Sequence, residues 1–178
     1  MKNPIFDRRH ITEYLTYGFI AALLYMIPVI FLLRSRNYEN FYYLYIGTGL
    51  FMCVIFYYAF RLLYRPYDKK RAVTMLVAGN LATIAGIIIS LIFVVIATWI
   101  FYPNLFSAPA SSEVLLNAPP QNEPNLPSGF LVMIMMATIV ANFGVGTAIS
   151  VVTAYAGKRN QTKDQPAELT THVSPEQT

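Results

Sequence analysis

Residues 73–102 read VTMLVAGNLATIAGIIISLIFVVIATWIFY, thirty consecutive positions without one Asp, Glu, Lys, Arg or His. A bilayer's hydrocarbon core of about 30 Å is crossed by roughly 20 residues of helix. A buried helix of a water-soluble domain is usually shorter and keeps a polar stripe for solvent. Before the closing Trp99 and Tyr102, the only polar side chains are Asn80 and scattered Ser and Thr. The run therefore reads as a transmembrane helix. At about 45 Å as continuous helix, it must tilt or protrude from the bilayer.

Three further apolar runs occupy 14–33, 41–63 and 129–156. Their only charged residue is Arg61, in the last turn of the second. Apolar residues make up 56% of the 178, charged residues 12%, and mean hydropathy is +0.46. Soluble domains carry about a quarter charged residues, so a chain of this composition could not cover a water-facing surface. The expected fold class is an all-α membrane protein, with four transmembrane helices in an up-down bundle spanning 1–156. Residues 157–178 are polar and aperiodic and are expected to form a disordered cytoplasmic tail.

Charge orients the bundle. Lys2, Arg8 and Arg9 precede the first span; Arg61, Arg65, Lys69, Lys70 and Arg71 join the second to the third; Lys158, Arg159 and Lys163 follow the fourth. Only Arg34 and Arg36 fall on the other side, eleven basic residues against two. The positive-inside rule then puts both termini in the cytoplasm. The stretch after Lys2, Arg8 and Arg9 is too long for a signal-peptide core. Leu32-Leu33-Arg34-Ser35-Arg36 also offers no small-residue cleavage site, so an uncleaved first span is expected. The expected location is a cell membrane, of the bacterial inner-membrane type. Trp99, Phe101 and Tyr102, with Tyr42, Tyr43 and Tyr45 at the same outer level, fit an interfacial aromatic belt, as do Tyr57, Tyr58 and Tyr64 towards the inner end of the second span.

The connection 103–128 differs in kind. It holds six of the eleven prolines, a density that forbids regular helix. It is expected to be a long outer spacer, with Val114, Leu115 and Leu116 as the one short apolar turn. A net charge of +4 does not point to nucleic acid, because the basic residues sit beside span ends rather than along one soluble face. Asn160-Gln161-Thr162 matches a glycosylation acceptor but falls on the cytoplasmic side. The single cysteine, Cys53, is expected to pack as a small hydrophobe.

Within the spans the clearest local signal is helix packing. Ala78, Ala82, Gly86 and Ser90 recur every four residues in the third span, and Gly146, Ser150 and Ala154 in the fourth. A second small set, Ala137, Ala141, Gly144 and Ala148, lies beside the latter. Small residues at this spacing let backbones approach, which is how helices associate in lipid. Packing of the third helix on the fourth is the simpler reading; an interface with another membrane protein or a second copy is the other. Asn80 and Asn142 are the most polar groups at membrane depth, about 10 Å and 21 Å from the cytoplasmic ends. Those depths should keep the two amides apart. Asn80 should meet the level of Thr147 and Ser150, and Asn142 that of Gly86 and Ser90.

Pro28 in the first span and Gly47-Thr48-Gly49 in the second invite a broken-helix or gate reading, although both residue types are common in membrane helices. His10 and Glu13 could share a face, but two ligands are too few for a metal site. Arg61, Arg65, Lys69, Lys70 and Arg71 could touch anionic lipid headgroups. No nucleophile elbow, zinc-protease helix, phosphate loop or intramembrane carboxylate pair is present, so neither enzymatic activity nor a cofactor is expected. The function the sequence favours is a structural, accessory or interaction subunit. A transporter or channel component for an uncharged or hydrophobic solute is the alternative, and membrane lipids are the expected partners in either case.

Overall fold

The computed structural model describes residues 8–35, 37–64, 71–103 and 129–163. It consists of four long helices, α1 (Arg8–Ser35), α2 (Tyr42–Tyr64), α3 (Arg71–Phe101) and α4 (Gly129–Lys163), with a 3₁₀ turn at Tyr38–Phe41. Each is long and apolar enough to cross a membrane. At 31 residues, α3 is about 46 Å long.

The turn between α1 and α2 is set locally. Asn37 Oδ1 accepts the Glu39 N–H at 3.0 Å, and the Asn40 N–H reaches the Asn37 carbonyl at 3.2 Å. This is the side-chain capping that favours Asn at helix starts. At the preceding helix end, Ser35 Oγ donates to the Leu32 carbonyl and Tyr102 Oη donates to that of Leu33 at 2.9 Å. These are among the last carbonyls of α1, which lack intrahelical donors. Tyr102 thereby ties the end of α3 to the end of α1.

Residue pairs give the helix directions. Between α1 and α2, Tyr17 stacks near Tyr58 and Phe31 near Tyr43, so the two run antiparallel. Between α3 and α4, Thr83 meets Gly146 and Gly79 meets Ser150, again antiparallel. Between α1 and α3, Gly18 meets Gly86, Phe19 meets Phe93 and Leu33 meets Tyr102; these two are parallel. Packing round the bundle follows the order α1, α2, α4, α3, with the parallel helices α1 and α3 side by side and α1 diagonal to α4.

The core is filled by Tyr25, Val29, Leu32, Phe51, Ile55, Ile134 and Val94, each fully buried. The outer surface is as apolar as the core. Phe31, Ile88, Ile100, Met136, Val140 and Val152 are all more than half exposed. In water such a surface would drive aggregation; in lipid it matches the solvent. The fold is thus compatible with an integral membrane protein.

Several expectations change on this frame. Helix α4 continues beyond 156 to Lys163, so 157–163 is helical where a disordered tail was expected. Gly157 is buried against Met75 and Leu63, which anchors the end, and no proline interrupts the chain before Pro166. Basic residues at a helix C-terminus also suit its dipole. Cys53 is exposed on the bundle exterior and does not fill the core. Helices α1 and α2 run unbroken through Pro28 and Gly47-Thr48-Gly49, so neither segment is a broken-helix site. Of the aromatic residues, Trp99, Tyr42, Tyr45, Tyr57 and Tyr64 face outward, whereas Tyr58 and Tyr102 are core residues. The expected turn at 114–116 and the expected disorder of 164–178 lie outside the described residues.

Candidate functional site

The small residues divide between two seams of α3. Gly86 faces α1 and α2: a Cβ placed on it would lie 2.8 Å from the Phe51 ring and 3.2 Å from the Gly18 carbonyl. Ala82 faces α1 as well, its carbonyl 2.9 Å from where a Cβ of Gly18 would stand. Ala78 and Ser90 are buried too. The seam with α4 is made one residue later, by Gly79, Asn80 and Thr83 against Gly146, Thr147 and Ser150. Successive helix residues are about 100° apart, close to the right angle by which a corner helix of a four-helix bundle must turn between two neighbours. The expectation that 78, 82, 86 and 90 pack on the fourth helix is therefore corrected for Ala82 and Gly86. Gly146 and Ser150 do face α3 but meet Thr83 and Gly79, and Ala154 is buried in the same helix.

Nothing in the sequence singled out Gly18. Its signal would have been its own four-residue register with Ala22 and Met26, all buried on one face of α1. In the second small set, Ala137 and Ala141 are half-buried, while Gly144 and Ala148 are exposed. A Cβ on Gly144 would meet nothing within 4 Å.

The polar groups at mid-depth are mostly spent inside the bundle. Asn80 Nδ2 donates to the Leu76 carbonyl at 2.9 Å, and its Oδ1 accepts from Thr147 Oγ1 at 3.0 Å. Thr83, Thr98, Thr138 and Thr153 each donate to the carbonyl four residues back, as does Ser150. Such back-bonding satisfies a hydroxyl without a partner helix. Because the one Thr138 proton is committed there, Tyr25 Oη is the donor in the 2.9 Å bond it makes to Thr138 Oγ1. That bond crosses the diagonal from α1 to α4.

Asn142 is the exception. It is fully buried, and neither its Nδ2 nor its Oδ1 has a hydrogen-bond partner. Ser90 Oγ is in the same condition. The antiparallel register of α3 and α4 brings both to one stretch of the bundle, and the two asparagines make no hydrogen bond with each other.

A different arrangement occupies the exterior at the end where α1 begins and α2 ends. A cleft of about 560 Å³ runs between these helices, lined by Arg9, Glu13, Tyr17, Ile20, Tyr57 and Arg61, with Thr12 and Thr16. Arg61 Nη1 donates to Tyr17 Oη at 2.5 Å, and its guanidinium lies 5.8 Å above the Tyr17 ring. Arg9 Nε stands 3.8 Å from Glu13 Oε1. Of the five basic residues expected near headgroups, Arg61 is the one whose side chain is described. Arg65, Lys69 and Lys70, and the side chain of Arg71, lie outside the described residues. A smaller apolar slot of about 240 Å³ separates α2 from α4 at the far end, between Phe41, Tyr45, Thr48, Met133, Ala137 and Ala141.

Among the described residues no three His, Cys, Asp or Glu side chains gather to hold a metal ion. Comparison with protein families, curated proteins and solved structures gives no significant match.

Proposed function

We propose that this chain is a structural or accessory subunit of a membrane, a four-span bundle whose role is to pack against other membrane components. One observation carries the reading: the polar groups that could line a solute path are either fully buried against neighbouring helices or, where half-buried, bonded to one another. Thr83 and Asn142 are fully buried, Thr83 presses on Gly146, and Asn80 and Thr147 are bonded to each other. A water-filled path would instead leave these groups wet. Coupled transport would also ordinarily want an intramembrane acid, and the acids within the described spans, Glu13 and Glu39, lie at span ends.

In this reading both termini are cytoplasmic and the membrane is of the bacterial inner type. Support comes from the grouping of Arg9 and Arg61 at one end, with Lys158 beside Gly157 where α4 meets Leu63. The positive-inside rule assigns such an end to the cytoplasm.

The test is extraction in a mild detergent followed by mass determination and a vesicle assay. An accessory subunit leaves the membrane in fixed stoichiometry with another membrane protein, and alone it leaves vesicles as tight as empty ones. A homo-oligomer that lets uncharged solutes cross would establish the transport reading instead.

A further inference from the structure

The cleft between α1 and α2 has a polarity gradient along its length, and from it we propose a binding site for one anionic glycerophospholipid, held by its phosphate. The proposal rests on the membrane reading above and adds a ligand class to it. Arg9 and Ile20, both in the lining, are eleven residues apart on one helix, which is about 16 Å. Over that distance the wall changes from Arg9, Thr12 and Glu13 to Ile20, which is 40% exposed. A phospholipid makes the same transition from headgroup to glycerol to the first methylenes of its acyl chains.

The donors suit a phosphate. Two guanidinium groups belong to the lining, Arg9 at the polar end and Arg61 beside Tyr17, and arginine matches phosphate oxygens geometrically. Tyr17 Oη accepts from Arg61, so its own proton remains to be donated, and Tyr57 is 61% exposed on the facing wall, α2. The tyrosine rings lie 6.2 Å apart by centroid and form an amphipathic rim suited to the headgroup zone. Thr12 and Thr16 offer no donor, since each hydroxyl is bonded to the carbonyl four residues back.

Glu13 sets the charge of the ligand. One carboxylate against two guanidinium groups leaves the lining at net +1, which complements a singly anionic lipid better than a zwitterionic one. Glu13 stands near Arg9, and it would repel a doubly charged free phosphate more than a phosphodiester.

Native mass spectrometry of the full chain tests this, with phosphatidylglycerol, phosphatidylcholine and phosphatidylethanolamine offered in equal amounts. The expected result is one phosphatidylglycerol retained per chain in preference to the other two. Combining Arg9→Gln with Arg61→Gln should weaken retention by roughly tenfold or more, while Arg34→Gln, exposed at the opposite end, should leave it unchanged. Arg61→Lys keeps the charge but not the planar fork and should fall between them. Equal melting temperatures of these variants separate lost binding from lost folding; should the double variant unfold, Arg9→Gln alone carries the comparison. Equal retention of all three lipids, a preference for phosphatidylethanolamine, or equal loss in Arg34→Gln overturns the proposal. Displacement of phosphatidylglycerol by millimolar inorganic phosphate also overturns it, in favour of a free-anion site. A chain washed from vesicles by alkaline carbonate would defeat the membrane reading itself, whereas a chain that stays inserted but binds lipids indiscriminately defeats only the lipid site.

Discussion

Gly18 of α1 and Gly86 of α3 meet backbone to backbone: a Cβ on Gly18 would stand 2.8 Å from the Gly86 nitrogen, and one on Gly86 would stand 3.2 Å from the Gly18 carbonyl. Two parallel helices touch here because neither residue has a side chain. The atoms nearest a Cβ on Gly18, the Gly86 nitrogen and the Ala82 carbonyl oxygen, are backbone and cannot rotate aside. Overpacking at such a point costs roughly 1–3 kcal/mol.

Gly18→Ala should therefore lower the melting temperature in detergent. Gly86→Leu, which also drives into the Phe51 ring, should abolish the folded bundle. Gly144→Ala is the contrasting case. That position is open, and replacing helical glycine by alanine should gain up to about 1 kcal/mol. Equal effects at Gly18 and Gly144 would contradict the close contact.

The two asparagines should respond with opposite signs. Asn142→Leu removes an amide buried without partners, whose burial costs about 1–3 kcal/mol, so thermal unfolding should shift upward. Asn80→Leu strips Thr147 of its acceptor and should shift it downward by about 0.6–2 kcal/mol. Two downward shifts would show that Asn142 has a partner after all.

The diagonal bond from Tyr25 to Thr138 can be isolated with a double-mutant cycle of Tyr25→Phe and Thr138→Val. The coupling should be near 0.6 kcal/mol and no more than about 1.7, the range of interhelical hydrogen bonds in membranes. A coupling of zero would mean that the two hydroxyls do not meet.

Cys53 is the only cysteine and lies on the exterior of α2, so the native chain can be spin-labelled without substitution. In bilayers the label should be relaxed strongly by oxygen and weakly by a polar nickel chelate. Strong relaxation by the chelate would place this face in water.

These cases show which parts of the architecture the amino-acid order carries. The pairing of Asn80 with Thr147 follows from depth alone, because helical rise is constant and antiparallel neighbours must match levels. The four long apolar helices follow equally directly from their lack of charge. Which helices adjoin does not. Ala78, Ala82, Gly86 and Ser90 announce a close approach but not to whom, since glycine on one helix is complementary to almost any neighbour. Residues one position along, Gly79 and Thr83, form the other seam, and only the ring order of the bundle distinguishes the two. The cleft at Arg9 and Arg61 was half legible. Arg61 stood out as an interfacial base, but its meeting with Tyr17, forty-four residues away, depends on the α1–α2 register.

The claim that the polar interior is sealed against its own helices, with no path for a solute, is tested most directly at Asn142. Asn142→Cys, in a chain carrying Cys53→Ser and reconstituted in vesicles, should resist a charged thiosulfonate reagent added to either side and react only once the bundle is unfolded. Modification in the intact bilayer would put water at the centre of the bundle, and the scaffold account would give way to a transport path.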